Sequence, residues 1–107
     1  MATKYTLLPF NENGVPQAPI VTDGEPGLEL LQKLVGGYIE YCPMPRDVGF
    51  EIVVNEEGKL RGMPVNQAAS HVYRETWLSK HDATELSMGM MILVGPAVLV
   101  FKEENAK

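Results

Sequence analysis

The sequence has little cysteine, fewer basic than acidic residues, and no long hydrophobic run. Its single cysteine, Cys42, cannot close an intramolecular disulfide, and no Cys-x-x-Cys pair is present to hold a metal ion. Small secreted domains usually carry several cysteines as cross-links, and the N-terminal segment lacks the apolar stretch of a signal peptide. We therefore expect a cytoplasmic protein with no disulfide, no tightly bound metal and no cofactor.

The chain also lacks the features of a membrane or nucleic-acid-binding protein. Its longest apolar stretch, residues 90–101, is interrupted by Gly95-Pro96 and is shorter than the ~20 residues that span a bilayer. Nine Lys and Arg residues stand against fourteen Asp and Glu residues, which gives a net charge of −5. Such a surface repels nucleic acids and anionic lipids at long range, so neither is an expected partner.

What the chain does have is enough apolar sequence for one small core. Its 107 residues are 45% hydrophobic, which fits a single domain over residues 1–107. The charged residues 102–107 are expected to form a frayed tail.

The clearest helix signal follows residue 22. Thr22 and Glu25 have the spacing of a capping box, and Pro26 suits a first helical turn. Apolar residues then recur at helical spacing up to Val35, and Gly36-Gly37 is typical of a helix end. This pattern predicts a helix that packs on a sheet.

Short apolar runs predict the strands. Residues 5–10 are expected to form an edge strand, because Pro9 cannot donate a hydrogen bond to a neighbour. The turn Asn55-Glu56-Glu57-Gly58, followed by Lys59-Leu60, predicts a hairpin. The other predicted strands are residues 18–21, 38–42, 50–54, 90–94 and 97–101.

A second helix is predicted from Asn66, its capping residue, to about Leu78. The expected inner face carries Val65, Ala69, Val72, Tyr73 and Thr76, and Gln67, Ser70, Arg74 and Glu75 are expected to face solvent.

These elements predict a single α+β domain with a mainly antiparallel sheet of about five strands and two helices packed on it. The predicted core is Leu28, Leu31, Leu34, Ile39, Ile52, Val54, Val72, Leu93, Val98 and Val100.

The candidate binding site lies in the polar stretch between the strand at 50–54 and the second helix. Lys59, Arg61 and Asn66 are expected near one another, with Gln67 beside them. Cations at a helix N-terminus suit a small anion such as a nucleotide, and Tyr38 could supply a stacking surface. In the alternative interpretation Asn66 only caps the helix and the cations are solvated.

Catalytic patterns are weaker. His71 and Glu75 have the i, i+4 spacing of a metal pair or of a base with its orienting carboxylate, but both fall on the polar side of the helix. Cys42 is expected to be a buried packing thiol, because no histidine, other base or helix N-terminus lies near it in the sequence to lower its pKa. A small enzyme would have to assemble its site from distant residues such as Asn66, Arg61, His71 and Glu75.

Several segments together resemble a known family. They are Val35-Gly36-Gly37-Tyr38, Asn55-Glu56-Glu57-Gly58, Pro64-Val65-Asn66 and the apolar stretch 92–100. The chain is similar, over about residues 18–100, to a family of small uncharacterised proteins from bacteriophages, plasmids, mobile elements and large algal viruses. That family is catalogued as a domain of unknown function.

The resemblance implies a viral or mobile-element context and brings no activity with it. We therefore expect a non-enzymatic accessory protein in the host cytoplasm, which binds a host protein or a small host ligand stoichiometrically. Residues 88–101 could leave an edge strand or apolar patch for a homo-oligomer. The alternatives are the small enzyme described above and a structural, oligomer-forming component.

Overall fold

The structure of the protein is a computed structural model that describes residues 3–79 and 92–103. Its elements in chain order are β1 (Lys4–Phe10), β2 (Ile20–Asp23), α1 (Leu28–Val35), β3 (Ile39–Tyr41), β4 (Phe50–Asn55), α2 (Gln67–Ser79) and β5 (Ala97–Glu103). Residues 90 and 91 of the strand predicted at 90–94 lie outside the described residues, and so do residues 104–107 of the predicted tail.

The five strands form one antiparallel sheet in the order β2-β1-β5-β4-β3. This confirms the predicted α+β class with two helices. Residues 88–101 were expected to offer an edge strand or an apolar patch. In the described part of this segment the edge strand is wrong, because β5 pairs with β1 on one side and β4 on the other. Lys102 and Glu103 extend β5 opposite Tyr5 and Lys4, so the predicted frayed tail does not begin at residue 102.

The two helices cover opposite faces of the sheet. Because side chains alternate between the two faces along each strand, the same strands contribute to a buried cluster under each helix. On the α1 face the buried cluster is Leu7, Leu31, Val35, Val53, Val98 and Val100. On the α2 face it is Cys42, Ile52, Val54, Ala69, Tyr73, Leu93, Ala97 and Leu99.

Most of the predicted core is confirmed. Leu31, Ile52, Val54, Leu93, Val98 and Val100 are buried, while Leu34, Ile39 and Val72 are partly buried against the two clusters. Leu28 was wrongly assigned to the core, since its side chain is 57% exposed. It is the first residue of α1, which starts later than the capping box predicts.

The capping box itself is wrong, although the predicted helix end is confirmed. Thr22 belongs to β2, where its hydroxyl donates to the Gly24 carbonyl at 2.9 Å, and Gly27 precedes α1 without a side-chain cap. At the other end Gly36 has φ of 79° and its N–H donates to the Gln32 carbonyl at 2.8 Å. Glycine adopts this left-handed conformation without steric cost.

β1 is an inner strand, contrary to the edge position that Pro9 predicts. The Pro9 carbonyl accepts from Gln17 N–H at 2.8 Å, on the side that faces away from β5. Since the N–H and C=O of one residue in an antiparallel strand point the same way, the proline removes no hydrogen bond to β5. Proline is tolerated here because β2 pairs only with the first half of β1, from Lys4 to Leu7.

The hairpin expected after Asn55 is absent from the described chain: Lys59 and Leu60 lie in consecutive turns over residues 56–62. Arg61 N–H donates to the Glu57 carbonyl at 2.9 Å, and Met63 N–H donates to the Gly58 carbonyl at 3.0 Å. β4 already has β3 and β5 as neighbours, so no position beside it is open to a hairpin partner. Val94, the last residue of the strand predicted at 90–94, makes an isolated bridge with Val65 and belongs to no strand of the described chain.

α2 begins as predicted, with the Asn66 side-chain oxygen accepting from Ala69 N–H at 3.0 Å. Its inner face differs at two positions. Val65 is exposed, whereas Ser70, expected in solvent, is buried. The Ser70 hydroxyl donates to the Leu93 carbonyl at 3.2 Å and accepts from Leu93 N–H at 2.8 Å, which makes its burial possible.

We predict that Asn66→Ala lowers the free energy of unfolding by ~2–4 kcal/mol, because it removes a helix cap and leaves buried carbonyls without a donor. Urea denaturation followed by circular dichroism measures this change. Gln67→Ala, at the exposed neighbouring position, serves as the control and should change stability by less than ~0.5 kcal/mol. Equal effects of the two substitutions would contradict the role assigned to Asn66.

Candidate functional site

The five predicted site residues are distributed over four environments near the turn at residues 56–62. Tyr38 and Arg61 line one recess, and Lys59 lines another. Asn66 is fully buried, and Gln67 is exposed at the first turn of α2. The structure therefore brings Tyr38 and Arg61 together and separates them from the other three.

The Asn66 amide is occupied by the fold. Its nitrogen donates to the Gly95 carbonyl at 2.8 Å and to the Asn11 carbonyl at 3.3 Å, while its oxygen caps α2. The backbone N–H of Asn66 donates to the Leu93 carbonyl at 2.8 Å. Asn66 thus joins three chain segments and presents no free polar atom to a ligand.

A second buried amide, Asn55, fixes the turn against the end of α1. Its nitrogen donates to the Val35 carbonyl at 3.1 Å, and its oxygen accepts from Glu57 N–H at 2.7 Å. A Cβ atom at Gly37 would lie 2.8 Å from the Asn55 nitrogen, so only glycine allows this close approach. The contact holds the chain from Gly36 to Tyr38 beside the turn.

The first recess is called the edge groove and is lined by Gln32, Gly36, Gly37, Tyr38, Glu57 and Arg61, with a volume of about 320 Å³. The Tyr38 side chain is 65% exposed. Arg61 Nη1 lies 3.6 Å from the position that a Gly37 Cβ would take. Since a helix C-terminus carries partial negative charge, the end of α1 favours this guanidinium.

The edge groove combines groups that suit a planar ligand. Tyr38 offers a ring face for stacking, and Arg61 offers paired N–H donors for a phosphate or carboxylate. Gln32 and Glu57 can donate to and accept from the edge of a heterocycle.

The second recess is called the Cys42 cavity and has a volume of about 280 Å³. Buried side chains of Cys42, Val54, Tyr73 and Leu93 form its floor, and the charged residues of its lining are Glu40, Glu56 and Lys59. The Tyr73 hydroxyl donates to the Pro43 carbonyl at 2.7 Å, which ties α2 to the chain leaving β3.

The predicted packing role of Cys42 is supported by its environment. Burial, together with the nearby Glu40 carboxylate, raises the pKa of the Cys42 thiol to about 12, although Lys59 acts in the opposite direction. Burial also raises the pKa of Tyr73. Both groups are therefore neutral at physiological pH, and neither is prepared to act as a nucleophile or base.

The residues proposed for a distant-residue enzyme do not share one site. Arg61 lines the edge groove, Asn66 is buried, and His71 and Glu75 lie exposed on α2. Within residues 3–79 and 92–103, no group of three or more His, Cys, Asp or Glu side chains could hold a metal ion.

Sequence reasoning missed Glu40, Glu56 and Tyr73 as parts of a recess. The alternation of residues 38–42 places Glu40 and Cys42 on one face of a strand, and this pattern could have predicted that they line a common recess. Nothing in the linear pattern brings Tyr73 to the same place.

The fold is an antiparallel sheet with one helix on each face and two recesses beside its β3 edge. By sequence, residues 6–107 match the domain of unknown function DUF3846, and the chain belongs to that family. No curated protein and no solved structure matches the chain. In the part of the chain that the structure describes, no helix is long and apolar enough to cross a membrane.

We predict that Cys42 reacts with an aromatic disulfide reagent at pH 8 at least ~100-fold more slowly in the native chain than in urea, because its thiolate is scarce and buried. The release of the reagent's thiolate measures the rate. The neutral thiol favours the folded state below pH 9, and this contribution is lost as the pH rises towards the folded pKa of about 12. Similar rates in the two states would show that the thiol is accessible.

Proposed function

We propose that the protein is a non-enzymatic accessory protein of a phage or mobile element, which acts in the host cytoplasm by stoichiometric binding of a small host ligand such as a nucleotide. The observation that carries this proposal is the pairing of an exposed tyrosine ring, Tyr38, with a guanidinium, Arg61, in the edge groove.

Binding would rest on two contacts of different kinds. Stacking of a base on an aromatic ring contributes ~1–3 kcal/mol and tolerates different bases. A guanidinium binds a phosphate through two parallel hydrogen bonds. Because the protein carries a net charge of −5, this local cation is needed to offset the repulsion of a phosphate.

The composition of the edge groove supports binding rather than catalysis. Its lining residues are two glycines with Gln32, Tyr38, Glu57 and Arg61. Glu57 is the one carboxylate among these described lining residues that could transfer a proton, and no serine, cysteine, histidine or lysine accompanies it. We therefore expect a ligand held there to be sequestered unchanged.

We predict that isothermal titration calorimetry detects one molecule of AMP or GMP per chain and that Arg61→Ala weakens binding ~10-fold or more through loss of the phosphate contact. Tyr38→Ala should have a similar effect, whereas Tyr38→Phe should retain affinity because the ring remains.

Arg46→Ala is the matched control, since it removes an exposed arginine from the loop after β3. It should leave affinity unchanged. Absence of binding by the wild type, or equal losses from Arg46→Ala and Arg61→Ala, would refute nucleotide binding in the edge groove.

The open edge of β3 favours a second candidate, binding of a host protein. β3 is the last strand of the sheet, and Tyr38 and Tyr41 are 65% and 49% exposed. The Tyr38 carbonyl accepts from Glu56 N–H, and Cys42 N–H donates to the Ile52 carbonyl. The backbone groups of the alternate residues, Ile39 and Tyr41, therefore face away from β4. An extended segment of a host protein, or a second copy in a homo-oligomer, could add a strand there.

We predict for this candidate that Tyr41→Lys abolishes capture of a host partner by the tagged chain, because an edge lysine opposes strand pairing. Arg61→Ala should leave capture intact, which separates this mode from nucleotide binding. Quantitative mass spectrometry of the captured protein gives the recovery, and sedimentation analysis reports self-association. Retained capture by Tyr41→Lys would exclude the β3 edge.

A further inference from the structure

The Cys42 cavity has the structure of a separate ligand site on the α2 face of the sheet. Its floor is formed by side chains that are almost completely buried, among them Tyr73 at 2% and Leu93 at 7% exposure. The charged residues of its lining, Glu40, Glu56 and Lys59, are exposed. An apolar floor with charges towards solvent suits a ligand that has one apolar end and one charged end.

The volume of the cavity limits the size of that ligand. Pockets for drug-sized molecules have volumes of ~300–1,000 Å³, so a cavity of about 280 Å³ suits a smaller metabolite. An apolar cavity of ~150 Å³ holds one benzene molecule. The Cys42 cavity therefore has room for a ring or branched aliphatic group together with a small polar head.

The charges restrict the polar head. Glu40 and Glu56 can accept from an ammonium group, and Lys59 can donate to a carboxylate. Glu40 and Lys59 line the same cavity as Cys42, and the former raises the pKa of the Cys42 thiol while the latter lowers it. Cys42 and Tyr73 remain neutral and present no charge to the apolar end.

We propose that the Cys42 cavity binds a free amino acid with a large apolar side chain. Its ammonium group lies towards Glu40 and Glu56, its carboxylate towards Lys59, and its side chain against Val54, Tyr73 and Leu93. A zwitterion uses charges of both signs, whereas a simple amine leaves Lys59 without a role and a simple acid meets two carboxylates. This site is distinct from the edge groove, with which it shares no lining residue.

Three ligands with the same ring test the proposal by calorimetry on the full chain: phenylalanine, phenethylamine without the carboxylate, and 3-phenylpropanoate without the amine. We expect phenylalanine to bind at least ~10-fold more tightly than either analogue, because each charged contact is worth about 1.4 kcal/mol or more.

Lys59→Ala should remove the preference for phenylalanine over phenethylamine and leave the affinity for phenethylamine within about twofold. Glu40→Gln should weaken phenylalanine and phenethylamine together. Lys33→Ala removes an exposed lysine from α1 on the other face of the sheet and should change none of the affinities. Circular dichroism of each variant confirms that the fold is retained.

Three results would overturn the proposal. They are no heat of binding for any of the three ligands at about 10 mM, phenethylamine binding as tightly as phenylalanine, and equal losses in Lys33→Ala and Lys59→Ala. AMP or GMP titrations of Lys59→Ala should match the wild type, so failure of this site is distinguishable from failure of the edge groove.

Discussion

The chain connections on the α2 face depend on one buried amide. Asn66 is 0% exposed, and its side chain bonds to the Asn11 loop, to the segment before β5 and to the first turn of α2. A backbone carbonyl buried away from water needs a hydrogen-bond donor, and the Asn66 amide supplies one to Gly95 and to Asn11. This amide therefore fixes where α2 starts, and thereby where Tyr73 meets Pro43 and closes the floor of the Cys42 cavity.

Asn55 has the corresponding role at the end of β4. Its bonds to Val35 and Glu57, and its close approach to Gly37, leave the turn at residues 56–62 little freedom of position. The turn then separates the two recesses, because Lys59 lies on one side of it and Arg61 on the other. Two asparagines thus determine the geometry of both candidate sites without contributing a free polar atom to a ligand.

The sequence predicts secondary structure well where burial gives the apolar residues a regular spacing. It predicts poorly where contacts between distant segments determine the structure of a residue. Alternation placed β3 and β4 correctly, and Gly36 marked the end of α1. Thr22 resembles a cap, yet pairing with β1 draws it into a strand. Lys59, Arg61 and Asn66 are close in sequence, but successive turns direct their side chains into different environments. The capping role of Asn66 was predictable, while its bonds to Asn11 and Gly95 were not, because they join segments far apart in the chain.

The charges that line each recess indicate its preferred ligand more directly than the net charge of the chain does. In the edge groove Arg61 faces one carboxylate, Glu57, and the negative end of α1. One guanidinium in these surroundings can offset a single phosphate but not three, so the edge groove suits a nucleoside monophosphate better than a triphosphate. The Cys42 cavity is lined by two carboxylates, Glu40 and Glu56, and by one ammonium group, that of Lys59. This excess of negative charge disfavours binding of an anion that carries no amino group of its own. The same turn therefore separates sites of different chemical preference, although it contributes one carboxylate and one cation to each.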